Sequence, residues 1–209
     1  MIRPQGLKGA AFGAASDGDA RIESNSRVRI SRQLGISAEW ATISQIHGSV
    51  AVEARNPGPQ GEADALLTSV VDLPLAIGSA DCVPVVLEGD NGVAVVHAGW
   101  RGIVAGVITE ARAAAVATGV ALERAAIGPA IGPCCYEVGP EVVEQLSQFE
   151  AESEGGAPSI DLFAAARHQL EGLQIWESEF CTMSDRRYHS HRRDATPDRQ
   201  VTVAWLPLA

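Results

Sequence analysis

An α/β (α+β) fold built as one domain over residues 1–209 is predicted by three features of the chain. Its 209 residues are many for one ordinary domain but few for two. Apolar residues make up 46% and charged residues 20%, a globular balance with enough Val, Ala, Leu and Ile for a sizeable core. Short apolar, β-branched runs in the first half give way after residue 102 to apolar residues at helical spacing.

Residues 1–20 carry Gly, Ala, Ser and Asp without periodicity and read as a strand or loop. A helix follows, capped by Asn25 or Ser26, striped by Val28, Ile30 and Leu34 and stopped at Gly35. Residues 41–46 read as a strand with His47 at its end, and Asn56 to Gly61 (NPGPQG) reads as a turn. The runs 65–67, 75–78, 83–87 and 93–96 have the character of strands buried on both faces, the last two joined by a hairpin turn at 89–92. Ile103, Val104, Val107, Ile108, Ala111, Ala115 and Val116 predict one helix starting just past Gly102 and ending at Gly119. Its first turn would offer unpaired N–H groups to an anion. A strand at 125–127 then leads into a Gly-Pro-rich turn. Pro140 starts a helix to about Phe149, 151–158 is a loop, 161–170 is helical, and 173–176 and 201–206 are closing strands.

Twenty-six acidic against 16 basic residues give a net charge of −10, and no Lys/Arg block offers a footprint for a phosphate backbone. Nucleic acid is excluded as a partner. The pairs Arg186-Arg187 and Arg192-Arg193 suit a small anion instead. No stretch has the pattern of a signal peptide, and no apolar run reaches the ~18 residues that span a bilayer, so the expectation is a soluble, cytoplasmic protein with no membrane partner. Four cysteines in a chain of this size read as free thiols or metal ligands, not as a disulfide framework.

Chemistry concentrates at three strand ends. Gln45-Ile46-His47-Gly48, Ser79-Ala80-Asp81-Cys82 and His97-Ala98-Gly99-Trp100-Arg101-Gly102 supply two imidazoles and one thiol. That ligand set suits zinc, and three protein ligands leave a position open for water or substrate. The bland alternative is a core cysteine and two unrelated polar histidines. Asp64 and Asp81 are candidate acceptors that would orient the ligand imidazoles. Cys134 and Cys135 could be a redox or copper-binding pair, but packing is the commoner role of such thiols; they and Cys181 stay outside the metal set. The tract Tyr188-His189-Ser190-His191-Arg192-Arg193-Asp194 is either a solvated loop or a substrate clamp, since Arg forks match phosphate oxygens.

With these residues the chain resembles the YfiH or laccase-domain family, described as purine nucleoside phosphorylases and formerly as polyphenol oxidases. The matching pieces are QIHG at 45–48, DALLT at 64–68, ADCVPVVL at 80–87, HAGWRG at 97–102, IGPAIGPCCYEVG at 127–139, DL at 161–162, CT at 181–182 and SHRRD at 190–194. The resemblance implies a single-domain sandwich of mixed sheets layered with helices, and a catalytic zinc held by His47, Cys82 and His97. It departs at two places. The family's Ser-Thr-Arg-x-Gly-Gly element is here Ala14-Ala15-Ser16-Asp17-Gly18-Asp19, without the Arg, and its Thr-Gly-Arg is here Thr196-Pro197-Asp198-Arg199.

The implied activity is phosphorolysis of adenosine, inosine and S-methyl-5′-thioadenosine, with adenosine deamination. Purine nucleosides and phosphate are then the partners, and Arg101, Gly102, Ser190 and Arg192 are the expected substrate and phosphate contacts. The alternatives are a copper-dependent polyphenol oxidase, for which five histidines are few, a non-catalytic metal-binding interaction protein, and a cysteine hydrolase using Cys82 and His97.

Overall fold

The computed structural model describes residues 1–208. In chain order its strands and helices are β1 (Ala10–Phe12), α1 (Ser24–Leu34), β2 (Ala41–Ser44), β3 (Ala51–Glu53), β4 (Gly58–Glu62), β5 (Ala65–Thr68), β6 (Leu75–Ser79), β7 (Val83–Gly89), β8 (Gly92–Ala98), α2 (Trp100–Val104), α3 (Val107–Ala117), β9 (Leu122–Ile127), α4 (Pro140–Gln145), β10 (Glu150–Glu152), β11 (Pro158–Ile160), α5 (Leu162–Gln169), β12 (Gln174–Glu177), α6 (His191–Asp194) and β13 (Gln200–Ala204).

Two mixed sheets carry the fold. One runs β1-β13-β6-β2-β4 and the other β12-β9-β7-β8-β5-β3. Strand alternation assigns each apolar side chain to a layer. Val86, Val93 and Val95 point toward Phe12, Leu75 and Ile77 in the space between the sheets. Their neighbours Val85, Leu87, Ala94 and Val96 point the other way, onto Ile108 and Ala111 of α3 and Ala166 of α5. On the far face of the five-stranded sheet, Ala76 and Val203 pack with Ile30 of α1 and with Trp40. The result is a helix, sheet, sheet, helix sandwich, which is why β7 and β8 are buried along their whole length. The predicted hairpin joins them, Gly89 pairing with Gly92.

Several local expectations need correction. Glu23, not Asn25 or Ser26, precedes the first turn of α1, and Val28 faces solvent. The strand predicted over 41–46 ends at Ser44, because His47 adopts φ 60° and turns the chain. The NPGPQG segment contributes β4, paired in parallel with β2. Prolines are tolerated there because β4 is the edge of its sheet. The single helix past Gly102 is two helices: α2 begins earlier, at Trp100, and Gly106 at φ 77° separates it from α3. The helix at Pro140 ends at Gln145, followed by a short 3-10 turn at Ser147–Phe149, and the predicted loop 151–158 contains most of a β10-β11 hairpin. No helix among the described residues is long and apolar enough to cross a membrane.

Candidate metal centre

His97 lies near the end of β8, Cys82 immediately before β7, and His47 on the turn after β2. Antiparallel pairing of β7 with β8 sets Val83 opposite Ala98, so Cys82 and His97 are held side by side by the hairpin. The sheet packed beneath delivers His47. One ligand atom from each of the three residues lies within 4.8 Å of the others. The two imidazole rings meet edge to face with centroids 4.9 Å apart.

Asp64 organises this cluster. Fully buried, its carboxylate accepts from the amides of Ile46 (3.2 Å), His47 (3.0 Å) and Gly48 (2.6 Å), which fixes the His47 turn. It also accepts from His97 Nδ1–H at 2.8 Å. A carboxylate already accepting three amides is the acceptor in that last bond, which leaves Nε2 as the His97 nitrogen available to Cys82 or to a metal. Burial pushes the Asp64 carboxyl upward, but the His97 ring and the Gly48 amide outweigh it and hold the group below its usual range.

The thiol and His97 form a coupled pair. Burial opposes charge on Cys82, yet the His97 charge and hydrogen bonds to both histidines bring its pKa down to about 6. Burial likewise opposes charge on His97, but Cys82 and Asp64 raise it to about 9. A thiolate in an imidazole-rich pocket is the form that ligates metal. Space at the centre is kept by glycines. A Cβ on Gly99 would lie 3.1 Å from Cys82 Sγ and 3.2 Å from His47 Cδ2, and one on Gly102 would lie 3.1 Å from the Gly48 carbonyl. Gly102, buried within α2, therefore seats that helix on the His47 turn.

Two cavities flank the cluster and share His47, Cys82 and His191. The larger, about 370 Å3, is also lined by His97, Gln45, Arg21 and Arg199. The smaller, about 270 Å3, is lined by Trp100, Arg101 and Tyr136. The Arg101 guanidinium stacks 4.4 Å from the Trp100 ring, and that of Arg192 lies 5.3 Å from Tyr136. Burial raises the Tyr136 phenol to about 12, with Cys82 adding to the shift and Arg192 and Arg101 opposing it. His191, Tyr136, Arg21 and Arg199 were not among the predicted site residues. The motif pieces HRR and CCYEVG held the first two, but nothing local in sequence ties Arg21 or Arg199 to His47. The N-terminal segment that departs from the family pattern still delivers an arginine to the cavity two residues further on. There Arg21 is bound to Asp19 (2.5 and 2.8 Å) and Gln45 (2.8 Å).

Asp81 does not orient an imidazole. At φ 84° its carboxylate accepts from Thr182 Oγ1 (2.6 Å), Ser190 Oγ (3.1 Å) and the Arg192 amide (2.7 Å), so it anchors the Ser-His-Arg-Arg tract beside Cys82. Ser190 is fully buried and caps α6 by accepting from the Arg193 amide at 3.1 Å. Arg192 keeps part of its fork free, with one Nη donating to the Glu137 carbonyl at 2.8 Å.

A family model described as multi-copper polyphenol oxidoreductase laccase matches residues 9–207. A purine nucleoside phosphorylase of Xylella fastidiosa is 36% identical over 223 residues, covering 95% of this chain and 84% of that protein. One from Pseudomonas aeruginosa is 33% identical over 211 residues, covering 93% and 85%. The crystal structure of the Bacillus licheniformis hypothetical protein YfiH has the same fold, with a TM-score of 0.84 at 24% identity over 94% of this chain and 92% of that one.

Proposed function

The chain belongs to the laccase-like family whose relatives are named purine nucleoside phosphorylases, and from that premise and the geometry of its site we propose a zinc-dependent purine nucleoside phosphorylase. Its substrates are adenosine, inosine and S-methyl-5′-thioadenosine, and it also deaminates adenosine. The observation that carries this reading is a cluster of two imidazoles and a low-pKa thiol, braced by Asp64 and set between two cavities.

The donor set fits a metal. One soft thiolate and two imidazoles match zinc, and three ligands leave one side of the ion free. Zinc held by His47, Cys82 and His97 supplies Lewis acidity for the purine and for water. Phosphorolysis breaks the bond from ribose C1′ to purine N9, joins C1′ to a phosphate oxygen, and requires a proton on the departing base. The Arg192 guanidinium lies 5.3 Å from the Tyr136 ring and Arg101 lines the same cavity as Tyr136, and two guanidinium forks suit a phosphate dianion. The Tyr136 phenol, kept protonated at neutral pH, donates to a phosphate oxygen. The nucleoside occupies the larger cavity beside the cluster, and His191, which lines both cavities, is the imidazole outside the cluster that hands a proton to the base. Deamination uses the same cluster: water replaces the purine amino group and ammonia leaves.

A copper-dependent polyphenol oxidase is the reading favoured by the wording of the family model. Against it, only His47 and His97 of the five histidines share a thiol-containing cluster among the described residues. A non-catalytic metal-binding protein would not require cavities on two sides of its metal. Chromatography of products after incubation with each nucleoside, with and without phosphate, separates the three. Free base that forms only with phosphate is the expected result. Phenol oxidation after copper loading, with no base released, would replace the proposal by the oxidase, and no turnover of either kind would leave the interaction protein.

A further inference from the structure

The four cysteines divide into Cys82 and a second group. Cys134 and Cys135 sit side by side in the Gly-Pro-rich turn after β9, and Cys181 is far away in sequence. The fold stitches the two segments together: Ala130 bridges Cys181, and the Thr182 amide donates to the Ala130 carbonyl at 2.9 Å. The three sulphurs consequently lie within 4.8 Å of one another, with Cys134 and Cys135 Sγ only 3.0 Å apart. We propose that Cys134, Cys135 and Cys181 form a second, all-sulphur site that binds a soft d10 cation, monovalent copper or zinc.

Three arguments carry this assignment. Sulphurs bound to one such ion at about 2.3 Å stand roughly 3.8–4.0 Å apart, a spacing that lies between the 3.0 Å of the 134–135 pair and the 4.8 Å within which all three sulphurs fall. Three thiols without an imidazole or carboxylate form a purely soft donor set, which selects thiophilic cations. The site also has an entrance, a cavity of about 260 Å3 whose walls include Cys134, Cys181 and Glu179. The Gly132 amide donates to Cys181 Sγ at 3.2 Å, the kind of contact that stabilises a thiolate. Burial opposes charge on all three thiols. It prevails at Cys134 and Cys135, whereas amides including that of Gly132 outweigh it at Cys181. Of the three thiols, Cys181 is thus the one whose surroundings favour the thiolate. None of this depends on the nucleoside reading. The two clusters are nonetheless linked, since Thr182, next to Cys181, bonds Asp81, next to Cys82, at 2.6 Å.

The test is a titration of the Cys82→Ala chain, which retains only these three cysteines, with cadmium(II) alone under a phosphine reductant. The expected result is a thiolate-to-cadmium charge-transfer band that saturates at one equivalent, with all three thiols becoming unreactive to a thiol reagent. Cys135→Ser in that background, checked by circular dichroism for a native fold, should keep about two thirds of the absorbance and bind at least tenfold more weakly. Monovalent copper should displace the cadmium. Absence of the band, or a band whose intensity and affinity are unchanged by Cys135→Ser, overturns the proposal.

Discussion

The His47-Cys82-His97 and Cys134-Cys135-Cys181 clusters each gather three ligand atoms within the same distance, yet they are built differently. The first mixes donors and is held from behind. Asp64 binds His97 and the His47 turn, and His47 and Asp81 occupy left-handed backbone, at φ 60° and 84°, which costs of order 1–3 kcal/mol each unless the surroundings enforce it. The second is all sulphur, is supported by backbone amides at Cys181 and by no buried carboxylate, and carries no left-handed backbone at its three cysteines. Strain and a buried carboxylate accompany the cluster that has cavities on two sides. Clustering of ligands suggests a metal, but bracing and access distinguish a centre built for turnover from a place where a cation can rest.

The largest expected effect comes from removing a ligand of the braced cluster. Cys82→Ala and His97→Ala should lose both stoichiometric zinc and nucleoside turnover while the chain stays folded, as read by metal analysis and circular dichroism. Of the two, His97→Ala should be the less stable, because it leaves the buried Asp64 carboxylate short of a partner. A folded Cys82→Ala protein with full zinc and activity would erase the distinction between the clusters.

Next come the groups around the metal. Asp64→Asn should weaken zinc binding about 10–100-fold with all three ligands still present. Arg101→Ala and Arg192→Ala should leave zinc content alone and raise the phosphate requirement by one to two decades, the roughly 1.5–3 kcal/mol of a charge-assisted contact. Deamination, which uses water, should survive the arginine changes better. Equal loss of both reactions would make the arginines structural.

A smaller, purely electrostatic effect separates the thiols themselves. In chelated protein carrying Ala at 134, 135 and 181, Cys82 should be a thiolate above about pH 6, so its alkylation rate should rise through that pH and level off by neutrality. An ordinary thiol would rise only near pH 9. Because Asp64 helps keep His97 charged, Asp64→Asn should move the inflection upward. An inflection near 9 in the unaltered cluster would contradict the coupling of Cys82 to His97.

Much of this was legible in sequence, for physical reasons. Short, β-branched apolar runs such as Val83–Leu87 have the character of strands covered on both faces, and they marked the centre of the sandwich. β4 was hidden because GPQGE has no side-chain pattern, and its pairing with β2 is made by backbone at a sheet edge. The break at Gly106 was hidden because apolar spacing continues across it. Asp64 and Asp81 looked equivalent, and only packing revealed that one holds an imidazole and the other a loop. Cys181 and Arg21 reach their clusters by contacts between segments distant in the chain, which local patterns do not encode.

The most direct measurement of the central claim uses the same triple-Ala chain stripped of metal, so that only the braced cluster remains. Inosine and phosphate are supplied, zinc is added back in steps, and free hypoxanthine is followed. Release should be absent without zinc, grow in proportion to the metal up to one equivalent per chain, and vanish when phosphate is withheld. Full release from the stripped protein, or none after a full equivalent of zinc is bound, would contradict it.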